Sequence, residues 1–156
     1  MKIRVLNTDT APAASDLQPK AAHDKGLYAT RNHIPLIARI LLSALFLWSG
    51  INKALNPSAT QEYMAMYNMP LTGLLMVAAI LIELGGGLSL LLGYYARTGA
   101  IALALFIIPA TLIFHTDFSN QMQQIMFMKN LSILGGLLMV IQYGPGNIAL
   151  RLERRR

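Results

Sequence analysis

The residues with which this sequence could do chemistry are polar side chains set in, or at the edges of, long apolar runs: Arg39, Asn52, Lys53, Glu83, His115, Lys129 and Asn130. Glu83 is the sharpest case, lying near the middle of the run from Leu71 to Gly93. A carboxylate at bilayer depth costs about 2.5–3.5 kcal/mol on insertion scales, so it is kept there for a partner, a pathway or a bound ligand. Gly86 and Gly87 follow within about a turn, so the carboxylate should face the protein interior rather than lipid. Histidine changes charge near neutral pH. A buried carboxylate and a histidine together point to proton relay, or to a grip on the polar head of a lipophilic molecule such as a quinone.

Four apolar runs must position these groups: Ile34 to Ile51, Leu71 to Gly93, Gly99 to Phe114 and Phe127 to Tyr143. Each is near or somewhat below the ~20 residues that span a bilayer as a helix. With 54% apolar and 13% charged residues, four buried soluble helices would keep almost no polar face for water. The expected fold is therefore all-α: an integral membrane four-helix bundle, left-handed and mostly antiparallel.

Lysine and arginine set the expected orientation. Lys2, Arg4, Lys20, Lys25 and Arg31 precede the first run, Arg97 separates the second from the third, and Arg151, Arg154, Arg155 and Arg156 follow the fourth. The other two connections hold only Lys53 and Lys129, each at a helix end. The positive-inside rule then places both termini and the Arg97 turn in the cytoplasm. The net charge of +6 is mainly this topology signal, although the basic tail can also meet anionic headgroups. No interleaved aromatic or recognition pattern accompanies it, so nucleic acid is not an expected partner. Residues 1–33 carry no helical or strand period and no signal-peptide apolar core, which predicts a cytoplasmic arm, disordered in isolation, ahead of the bundle at 34–150 and a basic tail at 151–156.

Local signals refine the helices. Pro35 suits a first helical turn. Arg39, one turn in, either snorkels toward headgroups or bends inward toward Glu83, and Lys53 reads as snorkelling outward; Arg39, Lys53 or a bound ligand is nevertheless expected to meet the Glu83 carboxylate. Trp48, Tyr63 and Tyr67 read as interfacial anchors. Gly85, Ser89 and Gly93 form a small-residue stripe that would admit a neighbouring helix, and Pro109 should kink the third span. Because the third and fourth spans join on the side where the first one ends, His115, Lys129 and Asn130 should share a depth with Asn52 and Lys53. Two readings of this polar ring stand: headgroup-level polarity, or a small site with Glu83 as floor and His115 as rim.

Cysteine is absent, which removes disulfides, thiolate catalysis, iron–sulfur clusters and covalent haem. There is no Glu-x-x-His pair for a di-iron bundle, no phosphate loop and no Ser-His-Asp set. No metal site and no intrinsic cofactor are expected, so a redox role would need a bound quinone or a partner's cofactor.

The segment Leu45-Phe46-Leu47-Trp48-Ser49-Gly50-Ile51-Asn52-Lys53, the run Ile82-Glu83-Leu84-Gly85-Gly86-Gly87, the turn Leu92-Gly93-Tyr94-Tyr95-Ala96-Arg97, His115 and the ending Gly144-Pro145-Gly146 together resemble the DoxX family of small four-helix membrane proteins, over roughly residues 34–150. The resemblance implies the fold more than a reaction. It includes a membrane subunit of a thiosulfate:quinone oxidoreductase and members linked to oxidative-stress or sulfur-oxidising assemblies. It also places Glu83, Lys53 and His115 at positions where the family carries such residues, and it suggests a bacterial-type inner membrane or an internal energy-transducing one. Three functions stay open: an accessory or scaffold subunit of a larger membrane complex, a quinone-interacting oxidoreductase subunit in which Glu83 and His115 handle protons, and a small transporter or channel. The size of 156 residues counts against transport, since it leaves no room for an inverted repeat and would demand an oligomer.

Overall fold

The computed structural model describes the backbone of residues 18–150, with side chains from His33 onward. Within that range it contains five helices and no strand: α1 Gln18–Leu55, α2 Pro57–Met66, α3 Thr72–Leu92, α4 Ala96–Phe114 and α5 Gln121–Tyr143. Four stretches are long and apolar enough to cross a bilayer: His33–Leu55 within α1, and the whole of α3, α4 and α5. Their outward surfaces are largely apolar, with Leu41, Trp48, Leu74, Leu81 and Leu105 all exposed, as lipid contact requires.

Two features depart from the sequence expectation. Helix α1 begins far upstream of Ile34, so the backbone of residues 18–33 is helical and Pro35 lies inside the helix, not in its first turn; residues 1–17 and 151–156 lie outside the described range. The connection after α1 also contains a helix of its own. Pro57 occupies the first turn of α2, where its missing N–H costs nothing, and Asn56 bridges back to α1 by donating from Nδ2 to the Asn52 carbonyl and side chain.

Helix α3 is the centre of the packing. It lies antiparallel between α1 and α4, α4 packs on α5, and α5 closes on α1 only loosely. Glycines set the close approaches. A methyl at Gly86 would come 2.6 Å from Leu103 of α4, and one at Gly50 would come 2.8 Å from Leu84 of α3. Gly87 sits against Leu47, and Gly99 against Ser89. Of the expected stripe, Ser89 packs against Gly99 and Gly93 against Arg39 and Ala149, but Gly85 has nothing within 4 Å; Gly86 and Gly87 supply the buried close approaches beside them. Phe46, Leu90, Leu103, Ile107 and Leu137 fill the core between these approaches.

At the α3–α4 turn the chain returns on itself. Gly93 caps α3 at φ 72°, a left-handed conformation that glycine adopts without steric cost. Against it lies Arg39, 1% exposed, whose Nη2 donates to the Ile148 carbonyl at 2.6 Å. The Leu150 N–H donates to the Leu92 carbonyl at 2.9 Å, so the segment after α5 is tied down over the middle of α1 and the end of α3. The guanidinium thus sits at the carboxyl end of α3, where the helix dipole favours a cation.

Gly86→Ala should destabilise the solubilised protein by ~1–3 kcal/mol through overpacking against Leu103, while Gly85→Ala should change little. Thermal unfolding of the two variants in the same detergent checks this, and equal shifts would contradict the helix register.

Candidate functional site

The site is built where α1 stops short of its partner. Gly50 packs beside Glu83 and Leu84, so α1 runs only one further turn before Leu55 while the amino-terminal turns of α3 rise past it. Ser49 and Lys53, four residues apart, share one face of that last turn. Both turn to Glu83. Ser49 Oγ donates to Glu83 Oε1 at 3.0 Å, Lys53 Nζ reaches both carboxylate oxygens at 3.0 Å, and Nζ also donates to Ser49 Oγ at 2.6 Å. The Glu83 side chain is 4% exposed and that of Lys53 25%. Lys53 does not snorkel outward as expected: its stem folds inward because a buried carboxylate one turn below offers more than headgroup solvation does.

This polar triad forms one wall of an otherwise apolar cavity of about 480 Å³ at the α2 end of the bundle. That volume lies within the roughly 300–1,000 Å³ of small-molecule sites. Phe46, Ala79, Ile107 and Ala110 supply apolar walls, and Thr60, Tyr63 and Met64 of α2 close it. His115 and Asn130 line it as well. His115 follows the last turn of α4, and its Nδ1 pairs with Gln123 Oε1 at 2.7 Å. Asn130 donates from Nδ2 to Thr111 Oγ1 at 2.9 Å, and Thr111 in turn donates to the Ile107 carbonyl.

The rings of Tyr63, Tyr67 and Phe114 pack against one another at centroid separations of 4.9–5.3 Å, which holds α2 onto the end of α4. The Tyr67 hydroxyl donates to the Phe114 carbonyl, and the Tyr63 and Tyr67 hydroxyls meet at 3.4 Å. Burial, reinforced by Tyr67, pushes the Tyr63 phenol up to about 12, so it stays protonated. Tyr63 thus forms part of the roof of the cavity and Tyr67 braces it from behind, beyond the anchoring role read from sequence.

Of the polar residues singled out by sequence, Lys53, Glu83, His115 and Asn130 meet around this cavity. The others lie elsewhere. Asn52 is exposed and pairs with Asn56. Lys129 is exposed on α5, beside an open groove of about 800 Å³ that also touches Leu45 and Ser132. Arg39 neither snorkels nor meets Glu83, since the rise of α1 separates it from Lys53 by roughly 20 Å. It is held at the far end by Ile148 and Gly93. Sequence reasoning missed Ser49, Gln123 and Thr111 as the partners that orient these groups; the i,i+4 relation of Ser49 to Lys53 was the available signal.

The family model of DoxX matches residues 34–116. The model of the SURF4 family matches residues 88–156, which takes in the Gly144-Pro145-Gly146 ending. The chain is 40% identical to the inner membrane protein YqjF of Escherichia coli over 111 residues, 71% of this chain and 84% of the relative. It is 30% identical to the inner membrane protein YphA of the same organism over 132 residues, 81% of this chain and 93% of the relative. No solved structure gives a significant match. This chain belongs to the DoxX family and is a multi-pass integral membrane protein.

Lys53→Met should cost ~3–5 kcal/mol, because it strands a buried carboxylate. Adding Glu83→Gln to that variant should recover much of the loss. Unfolding in detergent of both singles and the double closes the cycle, and additive losses would mean that the pair does not interact.

Proposed function

We propose that the protein is a small integral subunit of a membrane redox assembly, and that it holds a lipophilic ligand of the quinone class in the cavity between α1, α2, α3 and α4. One observation carries this reading: the buried Lys53–Glu83 ion pair lies on the wall of the apolar cavity rather than in a packed core. Replacing a buried pair by apolar side chains is often neutral or stabilising, so a pair kept at the wall of a ligand-sized space argues for use there. A cavity with apolar sides and a few polar groups suits an aromatic ring bearing oxygen substituents. Glu83 and His115 are the groups at which protons would be held beside it. Electron transfer is assigned to a partner, and the resemblance of this family to quinone-linked assemblies agrees with that division.

The contact surface for such a partner is best sought on α5. This span has the smallest buried share of the four, 11%, and it exposes Lys129 next to the groove against α1. A lysine directed away from its own bundle at that depth is better accommodated by another subunit than by acyl chains. We assign both termini and the Arg97 turn to the cytoplasm on the distribution of Lys and Arg.

Purified protein should carry extractable quinone, or should take up a short-chain benzoquinone, in a one-to-one ratio, and Glu83→Leu should reduce this at least tenfold while the chain still folds. Absence of binding by the folded wild-type protein would remove the ligand reading. For the topology, a cysteine at Ser119 should react with a membrane-impermeant reagent in intact cells and one at Ser15 should not; the reverse pattern would invert the protein.

A further inference from the structure

We infer that the cavity selects the reduced, hydroxyl-bearing form of its ligand, a hydroquinone or related lipophilic phenol, over the oxidised quinone, with His115 and Asn130 making the choice. The inference rests on the ligand reading above and concerns which partners the protein leaves free inside the cavity.

The donors at the wall are nearly all spent. Lys53 has three N–H groups, and they are committed to Ser49 Oγ and the two oxygens of Glu83. Ser49 gives its single hydrogen to Glu83, and Thr60 gives its own to the Asn56 carbonyl. Tyr67 donates to the Phe114 carbonyl, which leaves the Tyr63 hydrogen for the Tyr67 oxygen. Only the second amide hydrogen of Asn130 remains.

The acceptors are not spent. Thr111 gives its hydrogen to the Ile107 carbonyl, so its oxygen can only accept from Asn130. This fixes the amide with Nδ2 toward Thr111 and leaves Oδ1 without a partner. Gln123 presents its carbonyl oxygen to His115 Nδ1, which calls for the hydrogen on Nδ1 and, in the neutral imidazole, leaves Nε2 as a lone pair. Both residues line the cavity. A quinone carbonyl offers only lone pairs and would leave these acceptors buried and unmatched. A hydroxyl donates to them, and sites built to meet a hydroxyl discriminate strongly against analogues that lack it.

Full-length protein, stripped of bound lipid-soluble material and placed in nanodiscs, should be titrated anaerobically by calorimetry with a decyl-substituted benzohydroquinone and, separately, with its benzoquinone. The hydroquinone should bind roughly tenfold tighter or more. His115→Phe should bring its affinity down toward that of the quinone and leave quinone binding in place, while His115→Gln, which retains an acceptor, should keep much of the preference. Asn130→Leu also loses the bond to Thr111, so melting is followed in parallel, and Thr111→Val, which removes the same bond but keeps Asn130 Oδ1, should retain the preference. Equal affinities, or a preference for the quinone, would overturn the inference and leave the ligand reading intact. A preference unmoved by His115→Phe and Asn130→Leu in folded protein would overturn the assignment to these residues. Failure of folded wild-type protein to bind either form would overturn both readings.

Discussion

The Lys53–Glu83 pair is the interaction around which the α2 end of this bundle is organised. Separately, each charge would be a heavy cost inside a membrane. Together with Ser49, they satisfy one another at 2.6–3.0 Å, and the geometry that allows this constrains the backbone around them. Gly50 must let α1 approach α3 closely enough for Ser49 to reach the carboxylate, and a side chain at that position would meet Leu84 at 2.8 Å. Gly86 must do the same on the far side of α3 so that α4 can seal the core. The glycine-rich run after Glu83 is thus part of the machinery that holds a carboxylate inside a bundle.

At the opposite end a second buried charge serves a different purpose. Arg39 secures the segment that follows α5 through the Ile148 carbonyl, and it lies over Gly93, where any side chain would displace it. The guanidinium meets one backbone carbonyl and the end of a helix rather than a carboxylate, and its Nε and Nη1 have no hydrogen-bond partner among the described residues. Two cations on one helix, Arg39 buried and Lys53 half-buried, therefore divide the molecule: Arg39 closes one end, and Lys53 furnishes the wall of an open space at the other.

The four spans were legible because bilayer thickness imposes a run length that few soluble folds share, and the family because several short segments recur in order. The interior placement of Glu83 followed from its neighbours. Helix α2 was not legible: it is 10 residues long, its apolar face is narrow, and it depends on the ring contacts of Tyr63 and Tyr67 with Phe114, which are distant in sequence. Lys53 was among the partners expected for Glu83, yet its outward snorkelling was also expected, because its depth was read from its own helix. What decides the matter is that α3 extends beyond the end of α1, and no single run discloses its offset from the next. On α3, Gly86 and Gly87 face the interior as read from their place beside Glu83, and Ser89 and Gly93 make close contacts, but Gly85 lies off the packing face.

That offset also explains why a cavity exists at all. Where α1 ends, the bundle loses one wall, and α2 replaces it with a roof instead of a packed helix. The residues facing the gap include Ala78, Ala79, Ala110 and Pro109, which are too small to fill it. In a bilayer such a space gains nothing from expelling water, since lipid tails are as apolar as the side chains around them, and the contacts it forfeits are of the kind an apolar occupant restores. What does need stabilising is the polar wall, and the protein has made that wall self-sufficient in hydrogen-bond donors while leaving His115 Nε2 and Asn130 Oδ1 unmatched. A hydrocarbon occupant would gain nothing from those two acceptors, whereas an occupant that carries a hydroxyl would complete them.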